Sequence, residues 1–426
     1  MNTMNTMNET RDTAATDALC RELAEVATSA GTHAMFERLA AALKDQRRWH
    51  AVFDARLLQA RAALGLPLTG DPGPLDPATR EKLDAASLDA CREVGWPLLE
   101  EGRVSAGWMY LRAAAETEEV ARRLAARADL LRAAAADGDA AEAEDGTSAD
   151  DESLQEIIHI ALWEGVDPAL GLTILLERNG TCNAITAYEQ GVSRLPAARQ
   201  QPAAAVLIAH LHRELSAALA ADLAGRAAAP GGSPTDAASI PALLAAAGGM
   251  ADDPAIHLDV SHLQSVLRIA RVCTDRDAIR KAWELACYGC RLPAEAVYPG
   301  EPPFENVAEA SRLFFGAQLG VDAEQAVQFF RRAAATARLE ESGTLPADTL
   351  TVLLTRLGRP AEALHSALAR PHEESMPSSM QSSGMLPSLV ELAAAGGAWE
   401  TLRAACRERG DAVTFAATLA AEQTVR

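Results

Sequence analysis

Aromatic side chains are scarce in this sequence, 4% against a hydrophobic total of 49%, so alanine supplies much of the apolar content. Alanine has the highest intrinsic helix propensity. With few β-branched runs alternating at period two, the chain has almost nowhere to place a strand. Positive charge is also short: 39 Lys and Arg face 59 Asp and Glu, a formal charge of −20. Binding to phosphate backbones needs clustered cations, so nucleic acid is excluded as a partner. Attachment to an anionic membrane is disfavoured by the same sign. The most apolar stretches, such as AAAVLIAHL at 203–211, are far shorter than the roughly 20 residues that span a bilayer. The opening MNTMNTMNETRDTAATD has neither the basic nor the apolar segment of a secretory signal. The expectation is a soluble cytoplasmic protein with no membrane contact.

Paired cysteines are lacking too. Seven are spread over 426 residues, an odd, thin distribution that is no disulfide framework. The one close pair, Cys287 and Cys290 in CYGC, has no second pair to complete a zinc set and no preceding strand for redox chemistry, so it reads as two reduced thiols near a helix end. No GxxxxGK[ST], no GxGxxG after a strand, no GxSxG and no HExxH occurs. No cofactor is expected.

What the sequence does contain is helical periodicity almost throughout. In 19–65, Leu19, Leu23 and Val26, then Phe36, Leu39 and Leu43, recur at three- and four-residue steps. The same pattern predicts helices over 79–95, 104–135, 153–164, 168–178, 181–194, 197–224, 260–272, 275–290, 304–319, 322–340, 346–357, 360–369, 386–396 and 398–409. Start signals support them: SLQE at 153–156 reads as a capping box, Asp167 precedes Pro168, and Asp322 and Thr181 stand in N-cap positions. Short loops between helices make antiparallel neighbours.

Residues 1–10 read as a disordered tail and 11–135 as an N-terminal helical block. The acidic stretch 136–152 reads as a disordered linker, since it has no large apolar residue to bury. A central block follows over 153–300, interrupted by a Gly/Pro-rich insertion at 224–254 with room for one short helix. The last block, 301–426, carries a Ser/Met-rich loop at 370–387.

LLTRLGRPAEALHSALAR (353–370) has an apolar helix end, Gly358 in a turn, then Ala363 and Leu364 facing back. AQLGVDAEQAVQFFRRAAA (317–335), LLEEGRVSAGWMYLRAAAE (98–116) and LAAAGGAWETLRAACRERG (392–410) overlay on it with small shifts. In these segments the chain resembles the tetratricopeptide-like superfamily of helical hairpins, in degenerate form. GWMYLRAAAE, LERNGTCNAIT, HLDVSHLQSVLRIAR and YPGEPPFE are similar to strings in a bacterial family of long helical proteins of uncharacterised activity. The resemblance implies one continuous all-α architecture: a right-handed superhelix, or α-solenoid, of stacked antiparallel hairpins at about 35 residues per pair.

Two kinds of site suggest themselves. His257, Asp259 and His262 could converge on a borderline cation such as zinc if 257–262 were a loop. If a helix starts near Val260, Asp259 is its N-cap, with Ser261 and Gln264 offering a second register. The capping reading is the one expected. His210 and His212, two apart on a helix, point about 200° apart and cannot share a metal. His159 reads as a hydrogen-bonded core histidine. Gly180 and Thr181 in LERNGTCNAIT read as a tight interhelical turn rather than an anion site around Cys182.

The function expected is that of a non-enzymatic scaffold or adaptor binding another protein or a peptide segment, with Tyr110, Tyr288, Tyr298 and Phe304 as contact candidates. Self-association is a second possibility for the partner. The competing expectation is an α-helical, metal-dependent hydrolase with a histidine cluster in the central block and Glu164 or Glu214 as base.

Overall fold

The computed structural model describes residues 2–136, 149–226, 239–246, 256–370, 380 and 383–425. It contains nineteen α-helices and no strand among the described residues, so the chain is all-α as composition required. No helix among these residues is long and apolar enough to cross a membrane. Contacts divide the chain into two compact units, Met1–Asp167 and Pro168–Arg426, where three blocks were expected.

The first unit holds α1 (Asn2–Asp45), α2 (Trp49–Ala63), α3 (Pro77–Glu100), α4 (Val104–Leu111), α5 (Thr117–Ala136) and α6 (Ala149–Ile158). Residues 2–10, expected as a tail, are the opening turns of α1, which breaks at Gly31 where φ is +85°. Helix α3 is started by Asp76, whose carboxylate accepts from the amides of Ala78 and Thr79, with Pro77 at the first helical position. Leu43, Val52, Ala55, Val94, Leu98 and Tyr110 form a core between α1, α2, α3 and α4. The charged groups around it pair: Arg56 bridges Glu93 and Glu37.

Two boundaries differ from the sequence reading. The stretch 104–135 is two helices, turning at 112–116, because its run of alanines offers no contrast by which to mark an end. Ser153 is no cap; α6 begins four residues earlier, and the Ser153 hydroxyl donates to the Gly102 carbonyl at 3.1 Å. Residues 149–152 are therefore helical, while 137–148 of the expected linker lie outside the described residues.

The second unit begins with α7 (Pro168–Gln190), broken at Gly180 with φ +79°, the interhelical turn that the sequence marks. It continues with α8 (Ala197–Arg226), α9 (Ile240–Ala246), α10 (Val260–Ile269), α11 (Arg276–Gly289), α12 (Val307–Gln318), α13 (Ala323–Thr336), α14 (Leu339–Ser342), α15 (Leu345–Arg356) and α16 (Pro360–Leu368). Helices α17 (Leu389–Gly396), α18 (Trp399–Arg409) and α19 (Ala412–Val425) close it. The insertion at 224–254 contributes α9; its residues 227–238 and 247–254, and most of 371–382, lie outside the described residues.

Packing in this unit follows chain order. Helix α7 packs on α8, α8 on α10 and α11, α11 on α12, α12 on α13, α13 on α15, α15 on α16, α16 on α17 and α17 on α19. Contacts also skip one hairpin arm, α12 to α15 and α17 to α19. Helix α11 packs on α12 across residue 300, where the central and last blocks were expected to meet. Ser388 and Glu391 form a reciprocal capping box on α17, and Gly397 and Gly410 close α17 and α18 in left-handed conformation. Asp322, expected as a cap, instead takes φ +50° and makes no side-chain cap bond.

Candidate functional site

Asp259 has extended backbone before α10, and its Oδ1 accepts from the amides of Ser261 at 2.8 Å and His262 at 3.2 Å and from the Ser261 hydroxyl at 2.5 Å. The Ser261 hydroxyl, against the opposing effect of burial and with help from the His262 and Ser261 amides, holds its carboxyl below the usual range. His257 faces elsewhere. Its Nε2 lies 3.2 Å from Asp222 on α8, and its amide donates to the Tyr288 hydroxyl on α11 at 2.8 Å. The three groups do not converge, and among the described residues no three His, Cys, Asp or Glu side chains gather as a metal set.

The other histidines are similarly dispersed. His210 reaches the Thr181 hydroxyl at 3.0 Å, whereas His212 reaches Glu284 on α11 at 3.0 Å. His159 is exposed, 3.9 Å from Glu164, and is not the core histidine expected; it lies one turn beyond the exposed Gln155, on the side of the helix away from Leu154, Ile157 and Ile158. Glu164 and Glu214, the expected bases, are both exposed. Cys287 and Cys290 are free thiols at the end of α11, and burial pushes Cys287 up to about 11.

Three of the four aromatic contact candidates are corrected by burial. Tyr110 lies in the core of the first unit, its hydroxyl 2.8 Å from His50 Nδ1. Tyr288 is 3% exposed, and Phe304, also 3% exposed, sits 5.5 Å from Phe330 with the Arg271 guanidinium 5.6 Å from its ring. Rings so enclosed have no face to offer a partner. Tyr298 is different: 65% of it is exposed.

The strap between α11 and α12 explains why. Phe304 anchors it from below, and the buried Gln264 side chain of α10 donates to the Tyr298 carbonyl at 2.6 Å. The Gly300 amide bonds to the Glu305 carbonyl at 2.8 Å; a Cβ at Gly300 would lie 2.5 Å from the Phe304 carbonyl oxygen, so only glycine fits. The backbone is thus fixed while the Tyr298 ring projects outward. Between it and the start of α10 runs a groove of about 350 Å³. Ile256, Leu258 and Val260 form one wall and Ala296, Val297 and Tyr298 the other, with Asp259 and Glu295 on the rim. Ile256 is 48% exposed. Two large apolar side chains, Ile256 and Tyr298, are thus open to solvent at one groove. A second cavity, about 510 Å³ between α13, α15 and α16, is floored by Ala334, Ala347, Leu350 and Leu354, and Arg331 pairs with Glu362 among its lining residues.

Sequence reasoning missed Ile256, Glu284 and Arg356. Glu284 is buried, receiving His212, the Ile240 amide at 3.0 Å and Arg280 at 2.9 Å. Arg356 of α15 donates to the carbonyls of Arg271 at 2.8 Å and Cys273 at 3.0 Å, and burial lowers its pKa to about 10. Arg280 is a local partner of Glu284, four residues away, but His212 and the carbonyls bound by Arg356 lie 72 to 85 residues away in sequence, beyond any local pattern. Compared with family models, with curated proteins and with solved structures, the chain matches none of them.

Proposed function

We propose that this chain is a non-enzymatic scaffold: a tetratricopeptide-like, right-handed superhelix of stacked helix hairpins that binds a segment of another protein. The observation that carries the reading is the groove beside Tyr298, where a rigid strap holds an aromatic ring open to solvent opposite the exposed Ile256. The chain-order packing of the second unit, with skips of one hairpin arm, supports the stacked architecture. The pairwise engagement of the central histidines in contacts between different helices supports a structural rather than a catalytic role for them.

Recognition here would use apolar anchors from an extended or helical segment, seated between the α10 start and the strap. The test is a selection from a random peptide display library on the full chain, repeated on Ala296→Trp, which fills the groove, and on Tyr298→Ala. The expected result is enrichment of segments that bind the wild type and lose binding to both variants, with unfolding curves unchanged for Tyr298→Ala. Failure to enrich any segment, or enrichment of segments indifferent to both substitutions, refutes the reading.

A further inference from the structure

The charges around the groove select among possible segments. The strap residues 292–306 carry Glu295, Glu301 and Glu305 with no Lys or Arg, and the opposite wall, 256–267, carries Asp259 with no Lys or Arg. Glu301 lies near Arg271, which absorbs part of its charge. Asp259 and Glu295, the two on the rim, have no Lys or Arg in salt-bridge range among the described residues. Asp259 is held ionised by the amides and hydroxyl it accepts from, so its negative charge is a fixed feature of the capped helix. The exposed Tyr298 ring adds a face that attracts cations.

Resting on the scaffold reading above, we infer that the groove takes a basic-apolar segment: one or two large apolar side chains in the trough, flanked by Lys or Arg directed at Asp259, Glu295 and the Tyr298 ring. An acidic segment would meet like charge on both walls and pay for desolvating it.

The probe is a pair of fluorescein-labelled synthetic peptide series with the same Leu, Phe and Trp anchors, one flanked by Lys and Arg and the other by Asp and Glu. Binding to the full chain is read by anisotropy at about 0.15 M salt, where the Debye length is about 8 Å and distant charges are screened. Asp259→Asn combined with Glu295→Gln removes the rim charge while keeping the cap, since Asn caps as well as Asp. Glu340→Gln with Glu341→Gln, on the exposed α14, removes the same charge elsewhere. The basic series is expected to bind the wild type, to weaken about tenfold with Tyr298→Ala and about fivefold with the rim pair, and to be unmoved by the α14 pair. Basic peptides that ignore Tyr298→Ala, or that weaken equally with the α14 pair, would reveal general attraction to an acidic chain and overturn the inference. Acidic peptides that bind in a Tyr298-dependent way would overturn it and leave the scaffold reading standing. Binding by neither series overturns the inference as well, and the display selection then decides the scaffold reading separately.

Discussion

Replacing glycine by alanine inside a helix ordinarily stabilises it by about 1 kcal/mol, and at Gly107 the structure predicts the opposite sign. Helices α3 and α4 meet there at close range. A Cβ on Gly107 would stand 2.8 Å from the Gly95 carbonyl oxygen, 2.9 Å from the Leu99 amide nitrogen and 3.1 Å from Leu99 Cβ. The first two atoms are helical main chain and cannot rotate aside, so α4 must retreat by several tenths of an ångström. Retreat loosens contacts of the fully buried Val94, Leu98, Leu99 and Leu111. Overpacking costs about 1–3 kcal/mol, and setting it against a propensity gain of about 1 kcal/mol leaves Gly107→Ala destabilising by up to about 2 kcal/mol. Gly95→Ala is the instructive partner, because its Cβ would meet the Leu111 side chain, at 2.6 and 2.8 Å, before any backbone. In a Leu111→Ala background the side-chain clash is gone and the Gly107 carbonyl oxygen at 3.2 Å is the closest contact left, so Gly95→Ala should cost clearly less than it does beside Leu111. Gly107→Ala should not be rescued by Leu99→Ala, since the amide nitrogen remains. Urea unfolding followed by circular dichroism and tryptophan fluorescence measures all four free energies. A Gly107→Ala protein as stable as the wild type, or more so, would refute the close-approach argument.

Two further outcomes follow from the site. Asp259→Ala should cost about 1 kcal/mol through the lost N-cap, and Asp259→Asn only a few tenths; equal losses in thermal melts would remove the capping account. Burial raises the Glu284 carboxyl, but the bonds from His212, the Ile240 amide and Arg280 outweigh it and leave the group below its ordinary range. A carboxyl depressed in the folded state contributes stability that is complete above its unfolded value, about 4.3, and is lost as pH falls through the folded value. The stability difference between wild type and Glu284→Gln should therefore shrink as pH is lowered from about 6 to 3; a constant or widening difference in urea titrations contradicts the sign.

Local patterns were readable from residue order wherever the determinant lay within one turn of helix. Asp259 announces the start of α10, Asp167-Pro168 the start of α7, and Asn179-Gly180 the break within it. Alanine runs hid what these signals revealed. The turn at 112–116 and the whole of α19 went unmarked, because alanine favours helix at every position and contrasts with nothing. Helix α19 carries a single charge, Glu422, paired with Arg403 of α18, so charge pattern did not announce it; its one start signal, Asp411 accepting from the Thr414 amide at 2.9 Å, was passed over.

Which aromatic candidates are buried was hidden for a related reason. Residue type predicts that a ring is important, but whether it faces inward depends on what packs over it. Tyr288 and Tyr298 stand ten positions apart with similar local sequence character, yet one is 3% and the other 65% exposed. The difference lies in what each is tied to. Tyr288 sits on a helix face covered by the 257 loop and receives the His257 amide. Tyr298 is gripped only by its carbonyl, through Gln264 of a helix more than thirty residues earlier. The same long-range ties, His212 to Glu284 and Arg356 to the end of α10, fix the second unit across the hairpin order. At the groove itself the tie is the Gln264 bond to the Tyr298 carbonyl, which holds the strap backbone in place without a ligand. Ordering the strap would then cost a partner little, and its affinity would be set by anchors and charge alone.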